Sequence, residues 1–182
     1  ESQLQTGGYV IKTTLEKKNQ DAAVRAMDAR GPKKTPDNFQ QALVSIRPGT
    51  GEIVALYGGK DYLVKQLNGA TQSITQAGSS FKPFALVAAL EQGIPLSSIW
   101  SGKSPQVFDD FGKPYPVFNY SNEQEKEINL TYATAHSINT VYVPLGIAAG
   151  LENVVDVARR AGIPTSVALM PTPSISLGVA SP

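Results

Sequence analysis

A serine and a lysine lie three positions apart at the start of an apolar stretch, in the sequence Gly78-Ser79-Ser80-Phe81-Lys82-Pro83-Phe84. The residues before it are small and polar, and residues 84–90 are nearly all apolar, which predicts a buried helix that ends at Gly93. Residues three apart share one face of a helix, so the side chains of Ser79 and Lys82 can meet. A hydroxyl beside an amine is one of the known pairings of a nucleophile with a proton acceptor.

A second polar triplet, Ser137-Ile138-Asn139, lies between two stretches that are predicted to be helical. It supplies a hydroxyl and a carboxamide. The simpler interpretation of Ser79, Ser137 and Asn139 is that they cap helices, because serine and asparagine are preferred there. Lys82 could likewise be a solvated side chain, although its charge would oppose the dipole in the first turn of a helix.

Composition limits the class of protein. The chain has 182 residues, of which 41% are hydrophobic and 17% charged, as is typical of one globular domain. A net charge of +1 gives no indication of nucleic-acid binding, which selects strongly basic surfaces. There is no cysteine and only one histidine, so we predict no disulfide, no zinc–thiolate site and no multi-histidine metal site. No metal and no cofactor are expected. No apolar run is long enough to span a membrane, and any anchor is expected outside these residues.

Hydrophobic periodicity predicts several helices and one antiparallel hairpin. The predicted elements are a helix behind a capping box at residues 13–16 and ending near Arg30, a hairpin with strands in 41–47 and 52–57, the Ser79 helix, and helices at 130–136, 140–149 and 151–161. Residues 97–128 show little periodicity and are predicted to form a long ordered loop, and residues 164–182 a second loop.

Only the hairpin supplies convincing strands, and an isolated hairpin is barely stable. We therefore expect the sheet to be completed by residues outside this sequence. The 182 residues are predicted to be the N-terminal part of a single domain in a longer parent protein. Its parts would be an entry segment and first helix at 1–40, the hairpin at 41–59 and a helical region with the serine at 60–182.

Other chemically suggestive residues favour structural interpretations. His136 adjoins Ser137, but neighbouring helical residues do not face each other, so a serine–histidine pair is not predicted. The acidic residues of the long loop have lysines nearby and are interpreted as solvated: Asp109, Asp110, Glu123, Glu125 and Glu127. Its aromatic residues are expected to pack the loop down or to line a cleft: Trp100, Phe108, Phe111, Tyr115, Phe118 and Tyr120.

Taken together, these motifs resemble those of the transpeptidase domain of class A (bifunctional) penicillin-binding proteins. The resemblance covers nearly the whole chain, through residues 8–16, 42–59, 68–83, 119–121, 133–140 and 176–178. The family's third motif, K-[TS]-G on a later strand, is not found here, and we expect it downstream of Pro182. The resemblance implies the α/β fold (α+β type) shared by penicillin-binding proteins and serine β-lactamases, with helices packed on an antiparallel sheet.

The resemblance also implies roles for the site residues. Ser79 would attack the carbonyl of a D-Ala-D-Ala stem peptide, and an uncharged Lys82 would accept its proton. Ser137 would relay a proton to the leaving amine, and Asn139 would hydrogen-bond the lysine and the substrate amide. Thr140 is expected with them in the substrate- and β-lactam-binding set. β-Lactams would acylate Ser79 at the same step.

The implied partners are peptidoglycan stem peptides, β-lactams and the remainder of the same domain. The parent protein would lie on the extracytoplasmic face of the bacterial cytoplasmic membrane, held by an anchor outside these residues. In this family a glycosyltransferase domain usually precedes the transpeptidase domain. Two alternatives stay open. A β-lactam hydrolase or sensor of the same fold would need a water-activating group that the sequence does not identify. A non-catalytic cell-wall-binding scaffold would not need all four of Ser79, Lys82, Ser137 and Asn139.

Overall fold

A helix and a β-hairpin make up the first of two units, which comprises residues 1–74. The computed structural model describes residues 6–33, 36 and 39–179. Helix α1 spans Lys17–Arg30, and strands β1 (Leu43–Ile46) and β2 (Ile53–Tyr57) pair antiparallel. The predicted hairpin is therefore confirmed.

The start of α1 differs from the prediction. The helix begins at Lys17, and Glu16 occupies the N-cap position without a side-chain capping bond, so the capping box predicted at residues 13–16 is wrong. Side chains of this segment contact the hairpin instead. The Thr14 hydroxyl donates to the carbonyl of Ile53 over 2.7 Å, and the Glu16 carboxylate binds Arg47. Hydrogen bonds to the distant hairpin therefore replace the predicted local capping bonds.

Helices dominate the second unit, residues 75–182. The predicted helices are confirmed, and their ends differ from the prediction by about one residue. They are a 3₁₀ turn at Gly78–Phe81 that leads into α2 (Lys82–Glu91), then α3 (Leu130–Ala135), α4 (Asn139–Ala149) and α5 (Leu151–Arg160). Pro83 lies in the first turn of α2, where its missing N–H breaks no helical hydrogen bond.

Helix α4 lies at the centre of the core of this unit. Its Val141, Tyr142 and Leu145 are fully buried. Helix α2 presents alanines, which allow close approach of a neighbouring helix because they have no bulk beyond Cβ. The core residues are Phe81, Ala85, Ala88, Ala89, Leu130, Ala133, Ile138, Val141, Tyr142, Leu145, Ala149, Val154, Val157, Ala158 and Ile175.

The interpretation of residues 97–128 as a loop was wrong. This region contains β3 (Ile99–Ser101), β4 (Gln106–Asp110), β5 (Lys113–Val117) and β6 (Glu127–Asn129). Strand β3 pairs antiparallel with β6, and β4 with β5. A 3₁₀ turn at Tyr120–Asn122 follows β5.

Two local features explain why the sequence pattern did not predict the β4–β5 hairpin. Its turn residues, Phe111 and Gly112, both have positive φ angles of 51° and 81°, a geometry that Asn-Gly or Asp-Gly normally signals. Its second strand contains Pro114 and Pro116, and proline within a run normally argues against a strand. Both prolines lie opposite β4 residues at alternate positions of the register.

The segment at 164–182 also contains more structure than predicted. A 3₁₀ helix spans Pro173–Leu177, and four of its five residues are buried. Elsewhere, no individual helix in the described part of the chain is long and apolar enough to cross a membrane. Helices α4 and α5 pass that test of length and composition only as a pair, which is bent by 92°.

Candidate active site

The side chains of Ser79 and Lys82 meet as their spacing predicts. Ser79 lies in the 3₁₀ turn and Lys82 is the first residue of α2, so one turn of helix separates them. Their Oγ and Nζ atoms are 3.0 Å apart. Ser79 is exposed, whereas Lys82 is only 4% exposed. The hydroxyl therefore faces solvent while the amine is buried beneath it.

Ser137 and Asn139 complete a cluster around the lysine amine, which we call the lysine cluster (Ser79, Lys82, Ser137 and Asn139). The Nζ atom lies 2.8 Å from Ser137 Oγ, 2.7 Å from the Ser137 carbonyl oxygen and 2.6 Å from Asn139 Oδ1. No residue of the cluster makes a helix-capping side-chain bond at the helix ends that were considered for it.

Ser137 reaches the lysine from a strained turn between α3 and α4. Its φ angle is 57°, a left-handed conformation that costs a non-glycine residue about 1–2 kcal/mol. The turn is held by bonds from Ser137 N–H to Thr134 and from Ile138 N–H to Ala133. In this conformation both the carbonyl and the hydroxyl of Ser137 contact Nζ, so the strain coincides with the site.

The amide orientation of Asn139 is fixed by a second bond. Its Nδ2 donates to the carbonyl of Phe118 over 2.9 Å, so Oδ1 is the atom that faces Lys82. A flipped amide would place its N–H groups against Nζ and its oxygen against the Phe118 carbonyl oxygen. Phe118 thereby determines that Asn139 accepts a hydrogen bond from the lysine.

Burial lowers the pKa of the Lys82 amine from 10.5 to about 8. Its place at the N-terminus of α2 acts in the same direction, because the helix dipole is positive there. The Tyr142 ring, whose centroid is 5.4 Å from Nζ, favours the charged form and opposes this effect. None of the ion pairs in the described ranges involves Lys82.

The hydrogen-bond inventory accommodates a neutral amine. Two of the four oxygens around Nζ, the Ser137 carbonyl and Asn139 Oδ1, can only accept, and they match the two N–H groups of a neutral amine. The remaining lone pair can accept a proton from a hydroxyl, and Ser79 Oγ lies at 3.0 Å. The arrangement can therefore deprotonate an exposed serine.

Thr140 does not join the lysine cluster. It is fully buried, and its hydroxyl donates to Asn119 Oδ1 over 3.1 Å. Its side chain lies on the core side of the first turn of α4, and its place in the binding set stays a prediction.

Asn119 is a residue whose importance the sequence analysis missed. It is 4% exposed, and its Oδ1 accepts a hydrogen bond from the backbone N–H of Thr140. Its Nδ2 donates to the carbonyls of Gly102 and Glu123, each at a distance of 3.0 Å. It thus ties the β-strand region to the start of α4, next to Phe118 and Asn139. The strand that precedes Asn119 was not predicted, so nothing in the sequence pattern indicated this structural role.

The other chemically suggestive residues lie apart from this chemistry. The His136 ring stacks on Tyr132 at 3.8 Å between centroids, and the Tyr132 hydroxyl donates to Glu125. Within the described ranges, no group of three or more histidine, cysteine or acidic residues is placed to bind a metal ion. A cavity of about 670 Å³ lies in the first unit, and no residue of the lysine cluster lines it.

The chain has helices packed beside antiparallel strands, an S-x-x-K motif at the start of one buried helix and an S-x-N motif at the start of another. These features are typical of the serine–lysine class of penicillin-binding proteins and β-lactamases. The family model for the penicillin-binding protein transpeptidase domain matches residues 41–172. The chain therefore belongs to the family of penicillin-binding protein transpeptidase domains, and the resemblance to class A members is confirmed.

Individual relatives agree with this assignment. Penicillin-binding protein 1A of Mycobacterium tuberculosis is 38% identical over 170 residues, which are 91% of this chain and 19% of that protein. Penicillin-binding protein 1A of Aquifex aeolicus is 36% identical over 144 residues, which are 79% of this chain and 19% of that protein. The chain thus spans about one fifth of the length of these curated relatives.

Solved structures confirm the α/β transpeptidase fold. The penicillin-binding protein PonA1 of Mycobacterium tuberculosis superposes with a TM-score of 0.81 at 35% identity, over 98% of this chain and 47% of that one. The same protein in complex with penicillin V gives a TM-score of 0.82 at 34% identity, over 97% of this chain and 48% of that one.

Proposed function

We propose that this chain forms part of a penicillin-sensitive D,D-transpeptidase that cross-links peptidoglycan stem peptides through a serine acyl-enzyme. The observation that carries the proposal is the exposed Ser79 hydroxyl 3.0 Å from a buried amine with a lowered pKa. The complex of a relative with penicillin V supports the same assignment.

In the first step, neutral Lys82 accepts the Ser79 proton as Oγ attacks the carbonyl carbon of the penultimate D-alanine. An ester forms, and the bond to the terminal D-alanine breaks. The departing nitrogen must gain a proton, and Ser137 Oγ, 2.8 Å from Nζ, is placed to pass it from the lysine. The backbone N–H of Ser79 lies in a first helical turn, where it is suited to bind the oxyanion.

In the second step, the amine of a neighbouring stem peptide attacks the ester carbonyl. Lys82, neutral again, accepts a proton from the attacking amine through Ser137 and returns one to Ser79 Oγ as the ester bond breaks. The product is a new amide cross-link, and protons balance over the cycle. A β-lactam follows the first step only, because its ring opens without releasing a fragment that would free the site.

We further propose that these residues act as the N-terminal part of one transpeptidase domain in a longer parent protein, together with a K-[TS]-G motif from elsewhere in that protein. The two-stranded β1–β2 sheet and the coverage of about one fifth of the relatives support this. The parent would work outside the bacterial cytoplasmic membrane and carry a glycosyltransferase domain.

Fluorescent penicillin tests the proposal on the intact parent protein. We expect stable covalent label, and mass spectrometry of the digested protein should place it on the peptide that contains Ser79. Stem-peptide substrates should give cross-linked dimers. Label that is lost within seconds, with accumulating hydrolysed penicillin, would instead establish a β-lactam hydrolase. A protein that takes no label would be a binding scaffold.

The pH dependence of acylation follows from the pKa of Lys82. Because only the neutral amine accepts a proton, the second-order acylation rate constant should rise with pH, through a midpoint near 8. From pH 6 to pH 9 the neutral fraction grows by roughly 100-fold. Stopped-flow labelling over this range measures the rate. A constant rate from pH 6 to 9 would contradict the role of Lys82 as base.

A further inference from the structure

The residue before the nucleophile is in backbone contact with a distant glycine. A Cβ atom placed on Gly178 would lie 2.3 Å from the carbonyl oxygen of Gly78 and 2.6 Å from its nitrogen. Both distances are far below van der Waals contact, and the obstructing atoms belong to the backbone, which cannot swing aside as a side chain can. Only glycine at position 178 therefore allows this approach.

The segment that carries Gly178 is itself held in place. Its 3₁₀ helix, Pro173–Leu177, packs Ile175 into the core, and Ser176 is fully buried. Ser176 lies so close to α4 that a Cβ on Gly146 would be 1.9 Å from its Oγ. Gly178 N–H donates to the carbonyl of Ile175 over 2.9 Å. The segment is therefore packed against α4 and cannot easily move away from Gly78.

The supported residue, Gly78, leads directly into Ser79. Its φ angle is 58°, so it makes the turn that begins the 3₁₀ helix. The peptide between Gly78 and Ser79 contains the Ser79 N–H and sets the direction of its Cα–Cβ bond. A displacement of Gly78 therefore moves both the attacking hydroxyl and the candidate oxyanion donor.

We propose that Gly178 is a positioning residue for acyl transfer, which supports the Gly78 backbone and thereby fixes Ser79 against Lys82. This inference rests on the proposed function of Ser79. Neither S-x-x-K nor S-x-N includes Gly178, and it lies 100 positions beyond Gly78 in the sequence. Its role depends on the absence of a side chain, a property that a search for reactive groups does not detect.

Gly178→Ala in the intact parent protein tests this inference. The new methyl group must push Gly78 away by about 1 Å, a misplacement that can cost about 100-fold in rate. We expect the acylation rate constant for fluorescent penicillin to fall by about that factor. The final amount of label per protein should stay close to one, because the folded protein retains Ser79 and Lys82.

Gly93→Ala is the matched control. Gly93 follows the C-terminal end of α2 with a φ angle of 81°, and a Cβ there meets nothing within 4 Å. Both variants place alanine in a left-handed conformation, so Gly93→Ala controls for that backbone cost, and only Gly178→Ala should acylate slowly. Simple destabilisation would lower the final amount of label in both variants and leave the rate of the folded fraction unchanged.

The outcomes separate the two proposals. A wild-type protein without label on Ser79 would refute the proposed function. Wild-type labelling together with equal rates for Gly178→Ala and Gly93→Ala would overturn the role of Gly178. If Gly178→Ala does not fold, Gly146→Ala decides, since it displaces the same segment through Ser176 without a left-handed alanine. Slower acylation with full final labelling supports the inference, and a wild-type rate overturns it.

Discussion

Replacing Ser79 with alanine is expected to abolish covalent labelling of the parent protein by fluorescent penicillin. The ester to the opened ring needs the Ser79 oxygen. Ser137 is also exposed, with its Oγ 2.8 Å from Nζ, but in the proposed mechanism it relays protons and forms no ester. We expect no label above that of heat-denatured protein in gel fluorescence, and no cross-linked product from stem peptides. The thermal unfolding midpoint should change by only a few degrees, because the side chain is exposed.

Ser80→Ala provides the control for this variant. Ser80 is also exposed and lies in the same 3₁₀ turn, but its hydroxyl donates to the carbonyl of Ala77. It should label at nearly the wild-type rate. Stable label on Ser79→Ala, or its loss in Ser80→Ala alone, would show that the nucleophile has been assigned to the wrong serine.

Lys82→Met should have the second largest effect. Methionine fills a similar buried volume but cannot accept a proton, and removing a general base typically costs 10²–10⁴-fold. We expect the acylation rate constant to fall by about 10³-fold and its rise between pH 6 and pH 9 to disappear. Lys82→Arg should be equally inactive, because a guanidinium stays charged. An unchanged pH profile in Lys82→Met would exclude this lysine as the titrating group.

Stability should respond to Lys82→Met in the opposite sense to activity. Lowering the amine pKa from 10.5 to about 8 corresponds to about 3 kcal/mol that the folded protein loses while the amine is charged. Between pH 8 and 10.5 the unfolded chain binds more protons than the folded one, so wild-type stability rises with pH. The methionine variant lacks this rise, and denaturant unfolding at pH 7 and pH 10 would measure it.

The sequence predicted the lysine cluster's composition because its pairs are local. Ser79 and Lys82 share a helical turn, and Ser137 and Asn139 share a three-residue motif. What brings the two pairs together is the packing of α2 against α4, which no spacing rule specifies. Hydrophobic periodicity revealed both helices, and the family resemblance supplied their relation.

Features without a periodic signature could not be predicted. The β4–β5 hairpin escaped because Phe-Gly forms its turn and two prolines interrupt its strand. The 3₁₀ helix at Pro173–Leu177 was not predicted because it is too short to show a hydrophobic repeat that would distinguish a buried helix from a loop. The burial of Thr140 depends on Asn119, which lies 21 positions earlier and is brought close only by the tertiary fold.

The two prolines of β5 also affect how the protein behaves at high concentration. Pro114 and Pro116 occupy alternate positions, where a β5 residue would direct its N–H away from β4. The outer edge of β5 therefore offers carbonyls without the matching donors, and a strand from another molecule cannot pair with it. The β5 edge of this two-stranded sheet is in this way protected by its own covalent structure from extension into an intermolecular sheet.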